Sequence, residues 1–197
     1  MPRRIIDLDE PDRFASTAVG ESGERTFYLQ AVQGSRVVSV TLERDQLEIL
    51  AERMLAIIDE LERRGLTAID AGTATAPDEP PLAGPLCEGF HAGTLTIAWD
   101  EDVDRLIIEA RSHILDEGAG ESASPIIADV GEDEIPDDAP IGPDVVRVRI
   151  KPLMAQQFAR QAGRLAAAGR QRCAFCGEPL DPEGHRCPRR DGSDESL

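Results

Sequence analysis

The chain has 197 residues, 41% of them hydrophobic, enough to bury a core in one domain or in two small ones with a tail. Its formal net charge of −17 argues against a surface that binds nucleic acid over its whole extent. No apolar run reaches the ~20 residues of a membrane-spanning helix, and the opening MPRRIIDLDEPDRF lacks the apolar stretch of a signal peptide. A cytoplasmic protein with no membrane partner is therefore expected.

Residues 3–8 predict a short strand, which Pro11 and Asp12 end in a turn. Residues 13–19 and 25–32 predict two more. In the latter, Phe27, Leu29 and Ala31 fall on one face and Tyr28 and Gln30 on the other. Gln33, Gly34 and Ser35 make a hairpin turn into a fourth strand, 36–42, whose apolar set is Val38, Val40 and Leu42. A helix follows, with Asp45 as N-cap, Glu48 completing a capping box, and Gly65 just past the end. Its apolar stripe is Leu47, Leu50, Met54, Ile57, Ile58 and Leu61.

Residues 66–86, rich in Ala, Thr, Pro and Gly, form the internal linker. Strands resume at 90–99, turn at Asp100–Asp102 and continue over 103–114. Residues 115–143 hold nine acidic residues and no basic one, the composition of an acidic loop inserted between strands. Residues 145–150 alternate again, with Val146, Val148 and Ile150 inward and Arg147 and Arg149 outward. Pro152 opens a second helix that runs to about Ala168.

The tail carries the one chemical signature, CAFCGEPLDPEGHRCPRR. Cys173 and Cys176 bring two thiolates onto one ion, and Gly177 lets the backbone turn beneath them. His185 and Cys187, two residues apart, point the same way in an extended segment. Three sulfurs and one imidazole suit tetrahedral Zn²⁺ in a structural role. A redox Cys-x-x-Cys fits less well, because the pair neither follows a strand nor opens a helix. If His185 were not a ligand, the ion would keep an open position for catalysis. Cys87 lies far away and suits a buried site better than a ligand.

Charge is unevenly placed. Residues 1–143 carry −20, and residues 144–192 carry +5. Arg170, Arg172, Arg186, Arg189 and Arg190 in the basic tail can meet phosphate, although a protein partner is the first expectation. No G-x-S-x-G, H-E-x-x-H, G-x-G-x-x-G or P-loop is present. His91 and His113 each fall in a predicted strand, near Glu88 and Asp116, where a general acid–base pair is conceivable but an ordinary strand histidine is commoner.

Two stretches align without a gap: VVSVTLERDQLEILAERM (37–54) and VVRVRIKPLMAQQFARQA (145–162). The whole reads as an α+β protein of two related antiparallel-sheet-plus-helix halves, placed about a pseudo-twofold axis and followed by a small zinc knuckle. The halves are 1–65 and 87–170, joined by 66–86, with the knuckle at 171–192. The segments IIDLDEPDRF, GERTFYLQA (23–31), FHAGTLTIAWDEDVDRLIIEA (90–110), VRIKP (148–152) and the ending CxFCGEPLDPEGHRCPR resemble an uncharacterised actinobacterial family of cytoplasmic proteins, a domain of unknown function. That resemblance implies kinship and zinc but no reaction.

In topology, two β-β-β-β-α repeats are similar to the PUR-repeat proteins, which bind single-stranded nucleic acid on curved sheets. Such surfaces use basic and aromatic residues. Here aromatics are 4%, and the candidate arginines Arg25, Arg36, Arg105, Arg147 and Arg149 are scattered. Three functions follow: a non-enzymatic zinc-binding module for protein interaction or regulation, a single-strand binder, or an enzyme whose pocket would converge on His91 or His113.

Overall fold

The computed structural model describes residues 4–20, 25–67, 88–113, 126–129, 142–168 and 176, with the backbone alone at 88 and 126–129. Among the described residues, eight strands and two helices follow one another as β1 (Ile5–Asp9), β2 (Arg13–Val19), β3 (Thr26–Gln33), β4 (Arg36–Leu42), α1 (Arg44–Arg63), β5 (Glu88–Asp100), β6 (Arg105–Ser112), β7 (Ile126–Asp129), β8 (Val145–Ile150) and α2 (Pro152–Ala168). Seven strands form one mixed sheet in the order β1-β8-β6-β5-β4-β3-β2, and β7 pairs with β5 beside this path.

Alternating apolar residues divide each strand between two faces. Phe27, Leu29, Val38, Val40, Leu42, Leu95, Ile97, Leu106, Ile108, Val146, Val148 and Ile150 all enter one core. Both helices cover that face. From α1 come Leu47, Leu50, Met54 and Ile58; from α2 come Ala155, Phe158, Ala159 and Ala162. The alanines of α2 keep its surface low, so that it lies close against α1 and β2, where Phe14 and Phe158 meet with ring centroids 4.4 Å apart. Each fully buried Leu or Phe contributes about 1.5–3 kcal/mol by leaving water, so this face is the main source of stability.

The local signals act mostly where the sequence puts them. Gly34, at φ 58°, supplies the left-handed residue of the two-residue β3–β4 hairpin, and its N–H donates to Asp12 Oδ2 at 2.7 Å. Gly65, at φ 71°, ends α1 in a Schellman motif: Leu66 N–H donates to Leu61 O and Gly65 N–H to Glu62 O.

Several expectations are corrected. The N-cap of helix α1 lies two residues before the expected Asp45. Glu43 is the N-cap, its N–H donating to Gln46 Oε1 at 2.9 Å. Asp45 sits in the first turn, where its charge complements the helix dipole. The strand expected from Val103 starts at Arg105, because Asp104 adopts φ 54° and Asp102 N–H is held by Asp100 Oδ1, prolonging the turn. The acidic stretch 115–143 carries a strand, the Ile126-Ile127 pair having the β propensity that its acidic neighbours lack.

The meanders are also not purely antiparallel. β2-β3-β4 and β5-β6-β8 are antiparallel, but β1 runs parallel to β8, and the start of β5 runs parallel to β4. Finally, Arg147 points away from the core as expected, yet it is buried. Among the described residues no helix is long and apolar enough to cross a membrane.

Candidate functional site

The sheet face away from the helices holds the sheet's buried ion pair and most of its polar side chains beside a few apolar ones such as Ile107 and Val145, and two polar clusters occupy it. The first lies across β1, β8 and β6. Glu109 is only 2% exposed and Arg147 only 5%. Glu109 Oε2 accepts from Arg147 Nε at 2.8 Å and Nη2 at 2.6 Å; Oε1 accepts from Arg111 Nε at 2.6 Å. Asp7 Oδ1 stands 3.4 Å from both Arg147 Nη1 and Arg149 Nη1. Arg105 pairs with Glu10, as does Lys151 at 3.2 Å. Register explains the assembly: Asp7 faces Arg147 across the parallel pair, and Glu109 faces Arg147 across the antiparallel one. Arg105, Arg147 and Arg149, three of the five arginines that nucleic-acid binding would recruit, thus meet carboxylates of their own chain.

The second cluster is a cross-strand row. Thr17 pairs with Tyr28, Tyr28 with Thr41, and Thr41 with His91, all on the same polar face. A β-bulge at Gly93 then decides what lies next to His91. From Asp100–Arg105 to Thr94–Arg111 the β5–β6 partners run in strict hairpin register; past the bulge Ala92 pairs with Ser112. That one-residue shift brings His113 beside His91, their rings nearly parallel at 11° with centroids 5.9 Å apart. Gly93 makes this approach close: a Cβ on it would lie 3.1 Å from His113 Cα and Cγ, so a side chain there would push His113 aside by a few tenths of an ångström.

His91 is held from two sides. Its Nδ1 is 3.2 Å from Thr41 Oγ1, and its Nε2 is 3.3 Å from Glu43 Oε1. Thr41 is 2% exposed, so it orients the ring rather than meeting a solute. Glu43 stands where β4 gives way to α1, fixed by the Gln46 cap. Gln46 Nε2 in turn donates to Ala92 O at 3.1 Å, tying the helix start to β5. The histidines considered separately in the sequence are thus brought together, and the carboxylate that meets His91 is Glu43. The side chain of Glu88 and Asp116 lie outside the described residues. Thr41, Glu43 and Gln46 went unnoticed because each looks like ordinary strand or cap chemistry until the β4–β5 register is known.

Of the expected zinc ligands, Cys176 sits half-buried in a turn. Cys173, His185 and Cys187 lie outside the described residues, as do Cys87, Arg170, Arg172, Arg186, Arg189 and Arg190. Among the described residues no three metal-binding side chains are already gathered about one centre.

Fold and site together define a mixed α+β protein with one helix-covered apolar face and one polar face bearing an oriented imidazole pair. The chain belongs to the family described as "Protein of unknown function (DUF3090)", whose model matches residues 6–187. No curated protein and no solved structure matches it.

Proposed function

We propose that this chain is a non-enzymatic, zinc-binding protein of the cytoplasm that acts as a protein-interaction or regulatory module. Its four-ligand knuckle is Cys173, Cys176, His185 and Cys187, and zinc has a structural role there. The observation that carries the reading is the ligand set itself: three thiols and an imidazole at knuckle spacing fill a tetrahedral ion and leave no place for substrate. A protein partner is favoured over nucleic acid because Arg105, Arg147 and Arg149 are engaged by Glu10, Glu109 and Asp7 in a chain of charge −17.

The body is read as two related halves about a pseudo-twofold axis. Both run three antiparallel strands into a helix, β2-β3-β4-α1 and β5-β6-β8-α2. Each also lays a strand parallel to the last strand of the other: β1 beside β8, and the start of β5 beside β4.

The test is affinity capture of the tagged full chain from its own host, with and without nuclease. Defined protein partners that survive nuclease support the module. Co-purifying RNA or DNA, or partners lost with nuclease, overturn it. The second reading, single-strand binding, is favoured by one feature: the rings of Tyr28, His91 and His113 lie along one row of the sheet, as stacking platforms do. Salt-dependent binding of an oligonucleotide, weakened by Tyr28→Ala, would support it; no binding at low salt removes it.

A further inference from the structure

We infer that this chain pairs with a second copy of itself by exchanging strand β1, so that β1 of each copy lies beside β8 of the other. The starting point is the bend between β1 and β2. Glu10, Pro11 and Asp12 alone join the two strands, yet β1 and β2 stand at opposite ends of the strand order. The chain has to change course within these residues. Pro11 cannot share in this, because its ring holds φ at about −65°. Glu10 takes up the turn, at φ 48°. Two preferences are broken there at once. A residue with a Cβ is disfavoured at positive φ, and glutamate lacks the short polar side chain with which Asn and Asp tolerate it. A residue before proline is also pushed towards extended backbone, at φ about −120°. Asp104, at φ 54°, is an aspartate followed by Arg105 and bears less of either strain. An extended Glu10 would relieve both, and short hinge loops under strain invite strand exchange.

Strand β1 is also free to leave. It stands at an edge of the sheet and, among the described strands, pairs with β8 alone. What holds it comes from β8, β6 and the start of α2. The ladder runs from Ile5 opposite Val145 to Asp9 opposite Arg149. Asp7 Oδ1 meets Arg147 Nη1 and Arg149 Nη1, and the Glu10 carboxylate meets Arg105 and Lys151. Leu8 is fully buried in the core cluster. None of these contacts requires β1 to share a chain with its partners, so β1 of a second copy would make every one of them. Exchange therefore keeps the contacts and relieves the bend twice in each dimer. Against it stand the freedom lost on association and the repulsion between two chains of charge −17. The dimer is expected at high protein concentration and raised salt. It does not involve the zinc knuckle and goes beyond the reading of the chain as a partner-binding module.

The test is to refold the full chain from urea at high concentration in about 0.5 M salt, with reductant and chelator so that neither thiols nor metal bridge two copies, and to measure its mass by sedimentation. The expected result is a dimer in slow equilibrium with monomer. Glu10→Gly, for which positive φ carries no strain, should weaken the dimer about 10-fold or more, and Pro11→Ala should act in the same direction. Glu10→Gln keeps the strained backbone and loses only ion pairs common to both forms, so it should leave the dimer constant within about 2-fold. The exchanged strand is identified by mixing Ile5→Cys chains with Val145→Cys chains during refolding and then oxidising them. Ile5 and Val145 are register partners, so a disulfide between the two variants forms only where β1 of one copy lies beside β8 of the other. Each variant oxidised alone gives the background from the native cysteines. A chain that stays monomeric after concentrated refolding, a dimer without cross-linking above that background, or a dimer constant unmoved by Glu10→Gly overturns the inference.

Discussion

At the scale of single residues, Glu109–Arg147 is among the described ion pairs the one most fully withdrawn from water. Both groups are withdrawn from water, and each satisfies the other through two short contacts. Removing one partner leaves a buried charge uncompensated. Glu109→Gln is therefore expected to cost about 3–5 kcal/mol, read from the urea midpoint. Replacing both, as Glu109→Leu with Arg147→Met, should restore most of that loss, because the desolvation of two ions disappears with their attraction. A double variant no more stable than Glu109→Gln alone would mean that Arg111 and Asp7, not burial, set the energetics. The sequence marks Arg147 as outward-facing, which is correct for its direction. Its burial is not legible there, since it depends on Glu109 arriving from another strand at matching register.

At the scale of elements, the junction of β4 and β5 is the most exacting. Gly89 approaches β4 so closely that a Cβ would lie 2.8 Å from Ser39 O, a backbone atom that cannot swing away. Gly89→Ala is expected to cost about 1–3 kcal/mol, the range for overpacking. Hydrogen exchange should localise the loss to residues 39–41 and 88–91. An Ala variant with unchanged protection there would show that the strands can separate freely.

Gly65→Ala, by contrast, meets open space and pays only for its left-handed backbone, about 1 kcal/mol in thermal or urea unfolding. The two glycines look alike in sequence, but only Gly65 follows a helical stripe and so announces its role. Alternation likewise reveals the strands and the inward set Val146, Val148 and Ile150. It says nothing of which strand lies beside which, so the parallel pairs β1–β8 and β4–β5 were beyond reach. The His91–His113 contact was hidden for the same reason: a hairpin turning at Asp100–Asp102 can be drawn from the sequence, but the single-residue slip at Gly93 cannot.

At the scale of the whole molecule, the question is whether the metal-binding tail holds the body together. The core cluster draws its fully buried members from Leu8 to Ala162, and α2 ends at Ala168, before the first expected ligand at Cys173. These core residues pack on one another in a single cluster, and all of them precede the tail in sequence. Zinc in small knuckle peptides contributes roughly 10–16 kcal/mol, but that energy orders the residues that hold the ion. The body should therefore unfold as one cooperative unit whose midpoint is indifferent to tail metal. Cys176→Ser is expected to lower zinc content by one equivalent per chain and to change the stability of the body by no more than about 0.5 kcal/mol, as a surface substitution does. Chelator added to the native chain should make the tail sensitive to protease while the main urea transition stays in place. If that transition moves with the chelator in the native chain but not in Cys176→Ser, the knuckle is docked on the body and shares its stability. Unchanged zinc stoichiometry in Cys176→Ser would instead remove the ligand set on which the zinc-binding module rests.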